Sequence, residues 1–196
     1  MKKKNKLKKV YVGLAADILH EGHINILKIA KSYGEVTVGL LTDAAISSYK
    51  KLPHLNFKQR EIVLKNIKYV KYVIPQKTLS YVDNLIKLKP DYVVHGDDWK
   101  AGIQKNIRKD VILTLKKWSG KLIEPKYTKY ISSTLIKEKI LKIGVSPDTR
   151  KAKLKRLMDA KPLVRIIESH NALTGLIIEN TNVVSNKSYK EFDGMW

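Results

Sequence analysis

Two histidines, His20 and His23, stand three residues apart in the stretch ADILHEGHINIL, which follows an apolar segment and leads into another. Imidazoles at this spacing can bind zinc, hydrogen-bond the backbone of a turn, or hold a phosphate. A zinc site ordinarily needs three or four ligands. The chain has no cysteine, and its other histidines lie in separate segments (His54, His95 and His170). The pattern therefore favours the other two interpretations, and no residue is assigned as a metal ligand.

A bound phosphate accounts for more of this pattern than a plain turn does. Gly22 lacks a Cβ, so an oxygen can approach the backbone closely. The helix expected after it presents unpaired N–H groups and the positive end of its dipole. His20 and His23 would add two side-chain donors. Phosphoryl and nucleotidyl transfer chiefly require positioning and positive charge, which these groups supply. A turn whose histidines bond only the backbone stays open.

Apolar periodicity predicts elements that could position these histidines. The predicted strands are 8–16, 34–43, 69–75, 91–99, the last part of which is a polar turn, and 120–127. The predicted helices are 23–33, 56–67, 80–90, 105–118 and 131–143. This alternation predicts an α/β fold, a Rossmann-like doubly wound parallel sheet of about five strands. Ligands of such sheets bind beyond the carboxyl ends of the strands. Three polar turns occupy such positions: Asp17–His23, His95–Trp99 and Tyr127–Thr134.

Four motifs in order carry a resemblance to a known family. His-x-Gly-His after the first strand resembles the signature of the nucleotidyltransferase superfamily. HGDDW at His95–Trp99, ISST at Ile131–Thr134 and QREIVLKNIKYVKYVI around Arg60 resemble the glycerol-phosphate-type cytidylyltransferases. The resemblance covers roughly residues 8–140. It implies an enzyme that transfers CMP from CTP to a small anionic phosphate or phosphonate, with Mg²⁺ as cofactor.

The resemblance also implies roles for individual residues. The catalytic set would hold the triphosphate and stabilise the transition state: His20, His23 and Lys51. The acceptor would meet Lys50 from a loop and Arg60. The nucleotide would contact Ala15, Ala16, Asp17, Gly22, His95, Gly96, Asp97, Trp99, Ile131, Ser132, Ser133 and Thr134. Mg²⁺ would bridge phosphate oxygens and keep most of its waters, so no carboxylate cage is expected.

Two departures from the family pattern leave glycerol 3-phosphate open as the acceptor. Leu14–Asp17 stands where the family has Gly-Thr-Phe-Asp, and Tyr127–Tyr130 stands where it has Arg-Thr-x-Gly. The C-terminal residues 151–196, after an expected linker at 141–150, resemble the start of phosphoenolpyruvate mutase. That barrel takes about 250 residues, so we expect an incomplete α/β barrel fragment without mutase activity. Residues 1–140 would form the nucleotide-binding domain, and the fusion implies a phosphonate acceptor.

The formal charge of +21 suggests nucleic acid or an anionic membrane as a partner. The lysines are scattered through every segment, however, so we expect neither partner. No stretch reaches the length of a membrane span, and the absence of cysteine suits a cytoplasmic protein. The family resemblance implies a homodimer. The alternatives are a glycerol-3-phosphate cytidylyltransferase, another HxGH adenylyltransferase, and a non-catalytic RNA-binding or scaffold module.

Overall fold

The computed structural model describes residues 7–100, 104–126, 128, 136, 147–184 and 189–196. Its first ten elements are β1 (Lys9–Leu14), α1 (Glu21–Tyr33), β2 (Glu35–Leu41), α2 (Asp43–Ser47), α3 (Phe57–Lys65), β3 (Tyr72–Gln76), α4 (Val82–Leu88), β4 (Tyr92–Val94), α5 (Lys105–Lys116) and β5 (Lys121–Ile123). The C-terminal elements are α6 (Pro147–Ala160), β6 (Ile166–Ile167), α7 (Ala172–Asn180), β7 (Asn182–Val184), β8 (Tyr189–Glu191) and β9 (Gly194–Met195).

The first five strands form one parallel sheet in the order β3-β2-β1-β4-β5. The chain moves outward from β1 through β2 to β3, then crosses to β4 on the other side of β1. The point where the strand order reverses therefore lies between β1 and β4, which places the expected ligand crevice beside their carboxyl ends. The predicted α/β fold with a doubly wound parallel sheet is confirmed.

Alternate residues of β1 point to opposite faces of the sheet, and each face packs against its own layer of helices. Val10 and Val12 pack in one cluster with Leu27 of α1 and Leu64 of α3. Tyr11, between them, packs on the opposite face with residues of α4 and α5, including Leu85, Val111 and Leu115. A central strand buried on both faces explains the nearly unbroken apolar run of β1. The two helical layers hold the ends of β1 and β4 rigidly in place.

The third strand differs from the predicted one, and the fourth ends in the predicted polar turn. Pro75, expected to end the third strand, lies inside β3 opposite Leu40. Among the described strands β3 pairs with β2 alone and lies at the edge of the sheet, so the missing proline N–H can face outward at no cost to the sheet. The fourth strand pairs over Tyr92–Val94 and runs, as predicted, into a polar turn, which contains a 3-10 helix at Asp97–Lys100. The polar end of this segment thus forms a turn beside the crevice.

The C-terminal region contains a parallel strand pair separated in sequence by a helix. β6 pairs with β9 in parallel, with α7 between them, while β7 and β8 form an antiparallel pair. The expected linker ends earlier than predicted, because α6 begins at Pro147. The predicted helix 131–143 and the first part of the linker, 141–146, lie outside the described residues, except for Ile136. Within the described part of the chain, no helix is long and apolar enough to cross a membrane.

Arg60 of α3 is fully buried and joins the loops that follow the two central strands. Its Nη1 donates to Ala15 O at 2.6 Å and to Leu41 O at 2.8 Å. Its Nε donates to Leu55 O at 3.1 Å, and its Nη2 lies 2.5 Å from Asp43 Oδ1. The expectation that Arg60 meets the nucleotide or acceptor differs from this geometry, because its donors bind the protein. Arg60 is a positioning residue.

We expect Arg60→Lys to lower the free energy of unfolding by about 3 kcal/mol, because lysine cannot reach all of these acceptors and leaves buried oxygens unpaired. Urea unfolding followed by circular dichroism measures the change. Lys58 is exposed on the same helix, and Lys58→Ala should change stability by less than about 0.5 kcal/mol. Equal losses in the two variants would contradict the positioning role.

Candidate active site

A cavity of about 290 Å³ opens at the carboxyl ends of β1 and β4. Its lining joins the turn after β1, the start of α1, the loop after α2 and the turn after β4. The sequence-predicted residues that line it are Ala15, His20, Gly22, His23, Lys50, His95, Gly96 and Trp99. The structure therefore brings together residues from three separate predicted segments, at the point where the strand order reverses.

His20 and His23 cap α1 reciprocally. His20 is the N-cap residue, and its Nδ1 accepts a hydrogen bond from Gly22 N at 3.2 Å. His23 Nδ1 accepts from His20 N at 3.3 Å, and the two ring centres are 4.1 Å apart. A neutral imidazole that accepts at Nδ1 carries its hydrogen on Nε2. Both rings therefore retain one N–H donor that the helix cap does not use.

Gly22 is needed for this arrangement of the rings. A Cβ at this position would lie 3.0 Å from Cε1 and Nδ1 of His20, which is closer than ordinary van der Waals contact. Thr128, the next nearest neighbour at 3.6 Å, also lines the cavity. Glycine thus lets the His20 ring fold back onto the helix terminus, where it accepts from the N–H of Gly22 itself.

Burial holds both histidines in the neutral form near pH 7. The pKa of His23 falls to about 4, first because the ring is buried and then because of the charges of His20 and Lys50. The pKa of His20 is also lowered by burial, opposed by Glu21. Neutral imidazoles can donate hydrogen bonds from Nε2 but bring no net charge. Positive charge in the cavity must therefore come from elsewhere.

Lys50 supplies that charge, whereas the sequence pointed first to Lys51. Lys50 lines the cavity, while Lys51 is exposed and does not. Burial lowers the pKa of Lys50, and the nearby carboxylate of Asp17 raises it. The structure thus places Lys50 in the cavity lining and Lys51 outside it, and a catalytic role for either lysine stays a prediction. The two lysines differ because the backbone after α2 points the side chain of Lys50 toward the cavity and that of Lys51 toward solvent.

The turn after β4 forms the opposite wall of the cavity. The His95 ring stacks on Trp99 at 3.9 Å with 10° between the planes. Trp99 Nε1 donates to Glu124 Oε1 at 2.8 Å, and Arg108 of α5 donates to both oxygens of Glu124. The Arg108 guanidinium holds the pKa of Glu124 down to about 2. This chain of contacts fixes a flat aromatic surface at the edge of the cavity.

Three sequence-predicted nucleotide contacts lie outside the cavity lining. Ala16 is buried and adopts a left-handed backbone, with φ at 50°. Asp17 is also buried, and its Oδ1 accepts from Leu55 N at 3.1 Å. Asp97 N donates to Pro125 O, which extends the pairing beyond β4. These residues shape the loops around the cavity. The predicted contacts Ile131, Ser132, Ser133 and Thr134 lie outside the described residues.

Sequence reasoning missed several residues that line or support the cavity. The additional lining residues with polar groups are Tyr49, Tyr81, Asp98, Gln104 and Thr128. Asp98 could have been found, since it adjoins the predicted Asp97 and a 3-10 turn rotates the next side chain. Glu124 supports Trp99 from the residue after β5, and its partner Arg108 is remote in sequence, so no local pattern revealed the pair.

Comparisons with known proteins identify the family of the chain. A family described as cytidylyltransferase-like matches residues 11–139. The chain belongs to the cytidylyltransferase-like family. The glycerol-3-phosphate cytidylyltransferase of Staphylococcus aureus is 31% identical over 136 residues, which are 68% of this chain and 96% of that protein. The enzyme of the same name from Bacillus subtilis is 32% identical over 136 residues, 68% of this chain and 98% of that protein.

A further relative and a solved structure extend the comparison. The ethanolamine-phosphate cytidylyltransferase of Dictyostelium discoideum is 32% identical over 128 residues, covering 64% of this chain and 34% of that protein. The lipopolysaccharide core biosynthesis protein of Thermoplasma volcanium superposes with a TM-score of 0.53 and 24% identity, over 64% of this chain and 100% of that one. This likeness shows the fold. The prediction of a nucleotidyltransferase enzyme is confirmed by the family.

The cytidylyltransferase-like cavity contains little that could hold a metal by itself. Among the described residues, no group of three or more histidine, cysteine, aspartate or glutamate side chains is placed to bind an ion. Asp98 is the carboxylate among the cavity-lining residues described. This donor set fits Mg²⁺ that is held mainly by phosphate oxygens and waters, as this cation prefers.

Replacing each histidine by asparagine separates capping from chemistry. Asparagine places its amide oxygen near the former Nδ1 and has no group at the Nε2 position. We expect His20→Asn and His23→Asn to keep a folded α1 but to lower kcat by at least about 10²-fold, as for the loss of one preorganised donor. Pyrophosphate release and circular dichroism measure the two effects. Near-normal turnover in both variants would reduce the histidines to helix caps.

Lys50 and Lys51 provide a matched pair of variants, one inside the cavity lining and one outside it. We expect Lys50→Gln to lower kcat/KM for the nucleotide by about tenfold or more, because a charge in a partly buried site interacts strongly with phosphates. Lys51→Gln removes the same charge from an exposed position and should stay within about twofold. Steady-state pyrophosphate release distinguishes them. A larger effect at Lys51 would support the original assignment.

Proposed function

We propose that the chain transfers CMP from CTP to a small phosphonate or phosphate monoester and releases pyrophosphate. The observation that carries this proposal is the pair of unused Nε2–H donors of His20 and His23 beside the N-terminus of α1, at the edge where β1 and β4 end. The positive end of the α1 dipole and two imidazole donors converge there, which suits a polyphosphate. The cytidylyltransferase names of relatives covering 68% of the chain support CTP as the donor.

The proposed reaction is a direct in-line displacement. An anionic oxygen of the acceptor attacks the α-phosphorus of CTP and forms the new P–O bond, while the bond from the α-phosphorus to the bridging oxygen breaks and pyrophosphate leaves with those electrons. The acceptor oxygen is already deprotonated near pH 7, so no general base is required. His20 and His23 donate to oxygens on which charge builds up, and Lys50 supplies a fixed positive charge.

Mg²⁺ would neutralise charge on the triphosphate and on the leaving pyrophosphate. The protein positions the remaining groups. His95 donates from Nδ1 to Gly96 O at 2.8 Å, which fixes its ring against Trp99. We propose that the cytosine and ribose lie along this wall, where the partly exposed His95 ring, backed by the buried Trp99, gives a flat surface. Arg60 acts from behind by holding Ala15 O, so that the loop after β1 keeps its path toward His20.

Two acceptor classes are candidates. A phosphonate acceptor is supported by the C-terminal region, where β6 and β9 pair in parallel across α7, the repeating unit of an α/β barrel. This arrangement agrees with the resemblance of residues 151–196 to the start of phosphoenolpyruvate mutase, which we propose as its origin. Glycerol 3-phosphate is supported by the relatives of that name, which the chain covers almost completely.

We also propose that the enzyme works as a cytoplasmic homodimer, as the family resemblance implies, and that nucleic acid is not its partner. The large aromatic side chains on and beside the central strands, Tyr11, Tyr81 and Trp99, are buried in the core. They are therefore not available as the exposed stacking platforms that single-stranded RNA requires. Sedimentation measures the oligomeric state, and RNA titration at two salt concentrations tests the second point.

A panel of donors and acceptors tests the function. We expect CTP to exceed ATP, GTP and UTP by about tenfold or more in kcat/KM, since the wall at His95–Trp99 discriminates bases through buried contacts. Pyrophosphate release and mass spectrometry of the CMP ester identify the product with glycerol 3-phosphate or with methylphosphonate. His20→Asn serves as the blank. Preference for ATP would indicate an adenylyltransferase, and no turnover with any pair would refute the proposal.

A further inference from the structure

A second cavity, of about 240 Å³, lies between α2 and the C-terminal region. Lys50 lines both this cavity and the one beside the histidines, so the two spaces share one wall. The other charged lining residues are Lys161, Arg165, Lys190 and Glu191. All four lie beyond residue 139, where the match to the cytidylyltransferase-like family ends. This side of the cavity is therefore an addition of this chain to the family domain.

The cavity carries an excess of positive charge. Lys161 forms an ion pair with Asp193 and is neutralised by it. Among the described residues, the side chains of Arg165 and Lys190 have no hydrogen-bond or ion-pair partner, and Lys50 contributes a third cation. The carboxylate of Glu191 opposes them. Cations left unpaired around a shared concave space raise the local concentration of anions and favour their binding.

The cationic wall is held in place by buried contacts. Asp193 is almost fully buried, accepts from Lys161 Nζ and also accepts from Arg165 N at 2.9 Å. Asp193 N in turn donates to Arg165 O at 2.7 Å. The α6 helix is attached to the family domain by Arg156, whose Nη2 and Nη1 donate to the carbonyls of Pro53 and His54. The backbone that carries Arg165 is thus fixed relative to Lys50.

We propose that this second cavity holds the far end of the acceptor and that this end carries a carboxylate. The inference rests on the proposed function. The reacting phosphonate lies on the histidine side of Lys50, and the carboxylate lies on the other side, facing Arg165 and Lys190. Arg165 offers a planar fork of donors that matches a carboxylate. An acceptor with an ammonium tail, such as an ethanolamine-type phosphate, meets like charges in the same place.

Three acceptors of similar length test the inference on the full chain with CTP and Mg²⁺. They are 3-phosphonopropionate, propylphosphonate and 2-aminoethylphosphonate, with anionic, neutral and cationic tails. We expect kcat/KM to decrease in that order, with about tenfold between the first and the last, a spread typical of charge-assisted contacts in a partly exposed site. Equal values for the three acceptors would overturn the inference and leave the transfer reaction itself intact.

Single substitutions then test which side chains bind the carboxylate. Arg165→Gln should lower kcat/KM for 3-phosphonopropionate by about fivefold and leave propylphosphonate within about twofold. Lys190→Gln, at an exposed residue without a described partner, should act in the same direction and guards against misfolding of the first variant. Lys155→Gln, exposed on α6 and outside both cavity linings, is the matched control. If Arg165→Gln lowers kcat/KM equally for all acceptors, Arg165 has a structural role and the proposed carboxylate site is refuted.

A binding measurement keeps the inference testable without turnover. Calorimetric titration of the full chain with 3-phosphonopropionate should give tighter binding than propylphosphonate, and Arg165→Gln should remove the difference. If no acceptor releases pyrophosphate but this difference is present, the transfer function fails and the carboxylate site stands. If the two ligands bind equally, the carboxylate site fails whatever the turnover.

Discussion

The reciprocal cap of α1 is the contact on which the site depends. His20 and His23 each use Nδ1 to satisfy a backbone N–H at the helix terminus, and this use assigns the remaining hydrogen of each ring to Nε2. One set of bonds thus starts the helix, orients two rings 4.1 Å apart and sets their tautomers. A serine or aspartate cap would start the helix equally well. An imidazole caps with one ring atom and offers a donor from the opposite side of the ring, farther from the helix than a serine hydroxyl or an asparagine amide reaches.

The location of this cap follows from the sheet. β1 lies at the centre, so the reversal of strand order occurs beside it, and α1 must begin where β1 ends. The loop between them is short and tightly held, with Ala16 in a left-handed conformation and Ala15 O bound by Arg60. A strained residue in a buried loop persists because the surrounding contacts define its path. Arg60, which is buried on the opposite side of this loop, therefore also helps to position the N-terminus of α1.

Sequence periodicity was sufficient for the sheet because strands and helices differ in the spacing of their apolar residues, and β1, α1 and β2 carry clear patterns. It was also sufficient for His20, His23 and the turn at His95–Trp99, since each follows a predicted strand. It failed for Arg60 because a charged residue on a polar helix is usually exposed, and burial depends on distant carbonyls. It could not distinguish Lys50 from Lys51, because two adjacent lysines differ only in the direction in which the backbone points their side chains.

The net charge of +21 and the few cations at the two cavities have different consequences. Two unit charges 4 Å apart interact by about 1 kcal/mol in water, but by about 4 kcal/mol at an effective dielectric constant of 20. Lysines scattered over the surface therefore attract anions weakly and without preference for position. Lys50 is different because it is partly buried and shared by both cavities, and burial lowers its pKa. An anion bound in either cavity offsets part of the desolvation penalty of burying the Lys50 ammonium. The same lysine can thus favour a phosphoryl group on one side and a second negative group on the other, which couples the family domain to the segment added after it.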